Sequence, residues 1–225
     1  MRKIAIMLFG APGTGKGTQA NLLANKLGII HFDSGKFLES VVHDPARQKE
    51  AVIRRERKLF DTGKLLTPSF VFREVARGSE RFAKAGLGMV FSGSPRTMYE
   101  AEKLVPMLER WYGKKNIFVF ELGLPSAGSL ARNGKRMVCS VCGYTLLTKY
   151  YPTAHPKYCP VCAGSFYKRT LDNAKVIAVR LKEYRERTKP IFDFLKKRRY
   201  RVRLIDARPA PYKIFLKLND YFKNS

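Results

Sequence analysis

Apolar and polar positions along this chain alternate between two rhythms. Residues 4–9 form a short unbroken apolar run that ends at Gly10, the pattern of a parallel strand buried on both faces. From 16 to 27 the period becomes helical: Ala20, Leu23, Ala24 and Leu27 share a face, and Gly28 follows as a stop. Residues 29–32 predict a second short strand. The stretch 35–84 reads mostly as helix, broken at Pro45, Gly63 and Pro68. Further strands are predicted at 89–91, 117–122 and 202–205, with helical patterns between them and a last helix over 212–222. Strands alternating with helices predict an α/β fold, a parallel sheet flanked by helices with right-handed crossovers.

Residues 137–170 depart from that rhythm. The interval is rich in Tyr, Pro and Gly, holds every cysteine and shows no helical period. Residues 173–197 then predict one long basic helix. The cysteine region therefore reads as a small insertion between two core elements, with its flanks as hinges. There is no internal repeat, low-complexity tract or flexible linker.

Composition adds bounds. A chain of 225 residues with 45% hydrophobic positions can bury a sizeable core and is too apolar for a disordered protein. Nothing in it matches a membrane span, since the early apolar run has six residues where roughly 20 are needed. Arg2 and Lys3 before that run mimic the start of a signal peptide. The run is short and leads into Gly10-Ala11-Pro12-Gly13 rather than a small-residue cleavage site, so a cytoplasmic protein is expected.

The chemistry starts directly after the first strand. Gly10-Ala11-Pro12-Gly13-Thr14-Gly15-Lys16-Gly17-Thr18 fits a phosphate-binding loop, with Gly17 where the usual hydroxyl stands and Thr18 one place later. Glycines let backbone N–H groups converge on phosphate oxygens, a helix N-terminus adds its dipole, and Lys16 reaches the terminal phosphates. A second signal is local: Cys139-x-x-Cys142 and Cys159-x-x-Cys162, separated by residues 143–158. Two such knuckles offer four thiolates tetrahedrally, the donor set of a structural Zn²⁺. His155 lies between the pairs, but four cysteines already close the shell, so it is expected on the surface.

With Gln19 completing the first motif, the sequence resembles the adenylate kinase family of nucleoside monophosphate kinases. The landmarks run in the family's order: Asp33-Ser34-Gly35, then Gly63-Lys64-Leu65-Leu66-Thr67, then Ser94-Pro95-Arg96-Thr97, then Arg132 and Arg136, then Arg169 and Arg180. The resemblance implies a P-loop NTPase-type core over 1–225 with an arm at 34–72 for the monophosphate and a zinc-bearing lid at 137–170. It implies transfer of the γ-phosphoryl group of Mg-ATP to a nucleoside monophosphate, AMP first, by a protein that works as a monomer. Lys16, Arg96, Arg132, Arg136, Arg169 and Arg180 would be catalytic. ATP would be held by Gly10, Gly13, Thr14, Gly15, Lys16, Gly17, Thr18 and Arg132. The monophosphate would meet Ser34, Gly35, Leu66, Gly93, Arg96, Glu100, Arg169 and Arg180. Such chemistry asks for positioned positive charge more than for covalent participation.

Five positions depart from the family. Lys36 and Ser92 stand where it carries carboxylates near magnesium, so slower chemistry is expected. Glu39 replaces an arginine of the monophosphate site; either it turns away and Lys36 or Arg47 substitutes, or that site is weakened. Glu100 replaces a glutamine that reads adenine. It would either accept from guanine N1–H and its amine, moving preference toward GMP, or serve as a favourable charge in a first helical turn. Ser94 also replaces an aromatic residue.

Lys+Arg 44 against Asp+Glu 18 give a net charge of +26, most of it outside these phosphate residues. Residues 54–58 and 196–203 are the densest runs, and Arg201 and Arg203 are expected to face solvent on the last strand. A basic surface of this kind fits either plain solvation or a catalytically weak relative bound to RNA or the ribosome, although no RNA-binding motif is present.

Overall fold

The computed structural model describes residues 2–151 and 156–223. In chain order its elements are β1 (Ala5–Gly10), α1 (Lys16–Leu27), β2 (Ile30–Phe32), α2 (Ser34–Val42), α3 (Ala51–Asp61), α4 (Pro68–Lys84), β3 (Met89–Ser92), α5 (Met98–Tyr112), β4 (Ile117–Gly123), α6 (Ser126–Gly134), β5 (Arg136–Cys139), β6 (Thr145–Leu147), β7 (Phe166–Tyr167), α7 (Ala174–Glu183), α8 (Ile191–Lys197), β8 (Val202–Asp206) and α9 (Pro211–Asn219). Every residue of β1 is buried, as an apolar run without alternation requires. The strands order as β2-β3-β1-β4-β8, all parallel, with Ala5 opposite both Met89 and Ile117.

The two faces of β1 seed two cores. Ala5, Met7 and Phe9 pack with Phe91, Val119, Leu104, Leu108 and Phe192. Ile6 and Leu8 face Leu23 of α1 and Ile214 and Leu218 of α9. From β1 the sheet grows through β3 to one side and β4 to the other, so a crevice opens beyond the carboxyl ends of these strands. No helix among the described residues is long and apolar enough to cross a membrane.

Local signals explain most boundaries. Helix α1 occupies the expected 16–27 and ends where Gly28 turns left-handed, with φ 64°. The helical stretch breaks where expected: Pro45 starts a short 3₁₀ turn, Gly63 has φ 78°, and Pro68 opens α4 at a position needing no N–H. Buried Glu56 of α3 ties the arm together, accepting from the Thr67 N–H at 2.7 Å, from Thr67 Oγ1 at 2.6 Å and from Arg55.

Two expectations are corrected. The single helix over 173–197 is two: α7 widens into a π-helical segment, Tyr184–Thr188, before α8 begins. Pro190 lacks an N–H and crowds the preceding turn, and Lys189 N–H bonds back five residues to the Tyr184 carbonyl at 3.0 Å. In the cysteine region, β5 pairs antiparallel with β6 and β7. Strands of two to four residues between cysteine turns leave no legible alternation. His155 lies outside the described residues. Arg203 does not stand in solvent: its guanidinium lies over the rings of Phe118, Phe120 and Tyr221, and only Arg201 is exposed. Other basic residues of the runs are also engaged internally, Arg198 with Glu109 and Arg54 with the carbonyls of Gln48 and Lys49.

Glu56→Ala removes the acceptor of the half-buried Thr67 N–H and hydroxyl and is expected to lower stability by about 2 kcal/mol, read as a shifted urea midpoint with an unchanged slope.

Candidate active site and metal centre

The turn after β1 is built to receive an anion. Gly15 caps α1 in the left-handed region with φ 89°, no side chain bonds the first-turn amides, and no acid stands among them. These N–H groups therefore face the crevice unpaired within the helix. Gly13 is also left-handed, with φ 78°, and a Cβ there would come within 2.6 Å of Asn133 Nδ2, so α6 packs directly on the loop. Ser129 of α6 donates to the Pro12 carbonyl at 2.6 Å and fixes its path. Thr14 spends its buried hydroxyl inside the loop, on the Ala11 carbonyl at 2.9 Å, which leaves its backbone for a ligand. Lys16 Nζ folds back onto the carbonyls of Gly10 and Ala11, at 2.6 and 3.0 Å.

A cleft of about 730 Å³ opens above this loop, a volume suited to nucleotides. Lys16, Gly17 and Thr18 line it together with Arg96, Arg132, Arg136, Arg169 and Arg180, so the structure brings all six expected cations to one space. Different elements deliver them. Arg96 follows β3 and donates Nε to the Gly93 carbonyl at 2.6 Å. Arg132 ends α6 and donates to the carbonyls of Arg208 and Pro209. Arg136 opens β5 and is gripped by both oxygens of Asp172, Nε to Oδ2 at 2.9 Å and Nη2 to Oδ1. Arg180 comes from α7, with Nη1 buried and unpartnered among the described residues.

The cluster works against itself. Burial presses the Lys16 pKa well below the ordinary lysine value, and Arg96, Arg180 and Arg136 press it further; Asp33 opposes them. Burial also lowers Arg180, reinforced by Arg96, Arg169 and Arg136. Burial lowers Arg96, with Glu100 and Asp33 holding it up. A polyanion in the cleft would remove this repulsion and meet the unpaired donors at once.

The missing carboxylates have particular replacements. Ser92 ends β3 with its hydroxyl 2.6 Å from His31 Nε2, and His31 Nδ1 lies 2.5 Å from Asn21 Oδ1. An amide oxygen can only accept, so Nδ1 carries the proton and Nε2 accepts from Ser92. Burial lowers the His31 pKa and favours the neutral ring. Asp33, also in the cleft, caps α2 through Oδ1, which accepts from the N–H groups of Gly35 and Lys36 at 3.1 Å. No motif singles out Asn21, His31 and Asp33 as a set, because strand packing and not spacing assembles them.

The arm side differs from expectation at several points. A recess of about 30 Å³ beside Arg96 is lined by Leu38, Phe60, Leu66, Val71, Gly35, Gly93 and Glu100. Ser34 is fully buried with its hydroxyl unpartnered among the described residues. Glu100 is buried, and both carboxylate oxygens serve its own helix end: Oε2 accepts from the Arg96 N–H at 2.9 Å and Oε1 from Thr97 Oγ1 at 2.9 Å, while Thr97 Oγ1 accepts from the Glu100 N–H. This resembles a capping box and favours the helix-terminal role for Glu100 over base reading. Arg47 does not substitute at the phosphate site; it clasps Glu50 through two bonds of 2.8 and 3.0 Å. Glu39 does not turn to solvent alone: it accepts from Arg169 Nη2 at 3.0 Å. Lys36 Nζ reaches toward the lid, 3.1 Å from where a Cβ on Gly143 would stand.

The four cysteines converge as their spacing predicts. Cys139 and Cys162 sulfurs are 3.4 Å apart, Cys142 and Cys159 3.7 Å, and all four lie within 4.8 Å of one another. Four sulfurs bound tetrahedrally to zinc at about 2.3 Å stand roughly 3.8 Å apart, so the set is compatible with the ion. The knuckles are twins: Val141 N–H points at Cys139 Sγ and Val161 N–H at Cys159 Sγ, both at 3.4 Å. Each turn closes through a left-handed residue, Gly143 in one and Ala163, at φ 58°, in the other. Burial raises the Cys139 thiol pKa, but the amides of Cys142 and Val141 outweigh it and hold the group at about 6, on the thiolate side.

Known proteins of one kind share this plan. The sequence profile of the adenylate kinase family matches residues 8–200. The adenylate kinase of Caldicellulosiruptor bescii is 33% identical over 194 residues, covering 85% of this chain and 86% of its own. That of Methanothrix thermoacetophila is 32% identical over 193 residues, with 85% and 86% covered. That of Bacillus subtilis is 31% identical over 198 residues, covering 87% of each chain.

Arg180→Met removes a repelled charge and an unpartnered buried donor. The unliganded variant is expected to gain about 1 kcal/mol of stability and to lose most of the rise in melting temperature that AMP gives the parent protein. A destabilised variant with an undiminished AMP response would contradict this account of the cluster.

Proposed function

The chain belongs to the adenylate kinase family, and on that premise we propose how its residues divide the work of moving a phosphoryl group from ATP to a nucleoside monophosphate. The observation that carries the reading is the set of six cations converging with a glycine loop on one cleft. The N–H groups of the loop and first turn of α1, with Lys16 and Arg132, hold the donor's phosphates. Arg96, Arg169 and Arg180 hold the acceptor phosphate, and Arg136 spans the transferring group. AMP is the proposed acceptor. The weak RNA-associated reading is not favoured, since Arg96, Arg132, Arg136, Arg169 and Arg180 all line the cleft and part of the basic surface is engaged within the chain.

In the reaction, the acceptor's phosphate oxygen attacks the γ-phosphorus and the bond to the β-bridging oxygen breaks. Charge spreads over the equatorial oxygens, and preorganised guanidinium forks stabilise it there more than in the ground state. Magnesium arriving with the triphosphate would offset part of its negative charge. Asp33 and the Thr18 hydroxyl would hold that ion's water shell, a donor set that fits magnesium arriving with nucleotide. The arm over 34–72 and the lid over 137–170 close on the cleft and exclude water as a competing acceptor. Cys139, Cys142, Cys159 and Cys162 would hold a zinc ion that joins the two knuckles as one piece and has a structural role.

Purified protein incubated with Mg-ATP and each of AMP, GMP, CMP and UMP is expected to form diphosphates fastest with AMP, and absence of turnover with all four would refute the proposal. Metal analysis is expected to give one zinc per chain. Cys142→Ser should lower metal content and give a separate early melting step for the lid, and an unchanged single transition would count against a structural ion.

A further inference from the structure

An acid sits among residues proposed to grip phosphate. Glu39 projects from α2 in the arm, and Arg169 stands just beyond β7, at the lid's exit. Their side chains meet at 3.0 Å without a ligand between them. Arg169 lines the cleft and adds to the electrostatic pressure on Arg96 and Arg180, so its guanidinium belongs to the same cationic space. One turn earlier on α2, Lys36 approaches the first cysteine knuckle, so the arm touches the lid side twice. Glu39 thus contributes negative charge at the edge of the cluster where an acceptor's phosphate would bring its own.

We propose that Glu39 is a resident anion of the acceptor-phosphate site, which holds Arg169 in position and must be displaced from it before the acceptor binds. The inference rests on the reading of Arg169 as an acceptor-phosphate ligand. A carboxylate and a phosphate dianion compete for the same fork, and they repel each other when both are near it. The phosphate carries more charge and meets Arg96 and Arg180 as well, so it wins the exchange at a reduced net affinity. Glu39 is 39% exposed and can swing to water without breaking any core contact. Its effect therefore falls on acceptor affinity more than on the chemical step, and leaves the donor side alone. An ion pair this exposed is screened by salt, which makes the effect depend on ionic strength.

The test compares Glu39→Gln and Glu39→Ser with the parent protein by calorimetric titration of AMP, and by steady-state KM for AMP and ATP at about 50 mM and about 0.5 M salt. Both substitutions are expected to tighten AMP binding and lower its KM by roughly tenfold at low salt, with a smaller change at high salt, little change in KM for ATP, and a kcat change well below the KM change. Unchanged or weakened AMP binding in both folded variants would overturn the proposal, because a merely structural ion pair would loosen the site when broken. Arg169→Ala separates the premises. If it leaves AMP affinity intact, the assignment of Arg169 fails and the inference with it. If it weakens AMP while the Glu39 variants do not tighten it, only the role of Glu39 fails.

Discussion

Like charges brought into one cleft repel, and a fold that does this must hold them by other means until a counter-charge arrives. Arg96, Arg136, Arg169 and Arg180 each lower the proton affinity of at least one other member of the group, and Asp33, Glu100 and Asp172 oppose them. The binding energy of a polyphosphate is correspondingly large, because it relieves repulsion as well as forming new bonds. The glycine turn after β1, the carboxyl end of β3, α6 and the start of β5 are the means of placing that charge. Stability conceded at such a site is the usual cost of preorganisation.

The scaffold supplies what the cluster lacks. Strand β1 is buried along its whole length and locked between β3 and β4, which makes the loop beyond it a fixed point. α6 presses on that loop through Ser129 and Asn133. Each acid near the cluster has a restraining partner: Asp172 clasps Arg136, Glu100 closes the end of α5 beside Arg96, Asp33 caps α2, and Glu39 engages Arg169. Asp172 and Glu39 orient guanidiniums directly, while Glu100 and Asp33 hold backbone N–H groups beside them. The cysteine knuckles serve the same end from the lid, since a short β5–β6–β7 sheet has little core of its own.

Much of this was legible in the chain, for reasons that differ by element. α1 lay at 16–27 as expected because its glycines and apolar face are local signals, and the cysteine cluster followed from spacing alone. The bend at Tyr184–Thr188 was missed although Pro190 announces it, because the basic helical pattern continues past it. The link from Ser92 to His31 spans 61 positions and is made by neighbouring parallel strands, so no motif reports it. Of the two roles open to Glu100 in the sequence, the helix-terminal one is the better supported: Thr97-x-x-Glu100 at a helix start is a capping signature, and the structure satisfies both carboxylate oxygens there.

The most direct measurement of the central claim is a calorimetric titration with a single molecule carrying adenosine at each end of a five-phosphate chain, over a range of salt. Filling donor and acceptor positions together, it is predicted to bind at least a hundredfold more tightly than ATP alone, with affinity falling steeply as salt rises. Affinity no better than that of ATP, or indifferent to salt, would contradict a single cationic cleft built for both sets of phosphates.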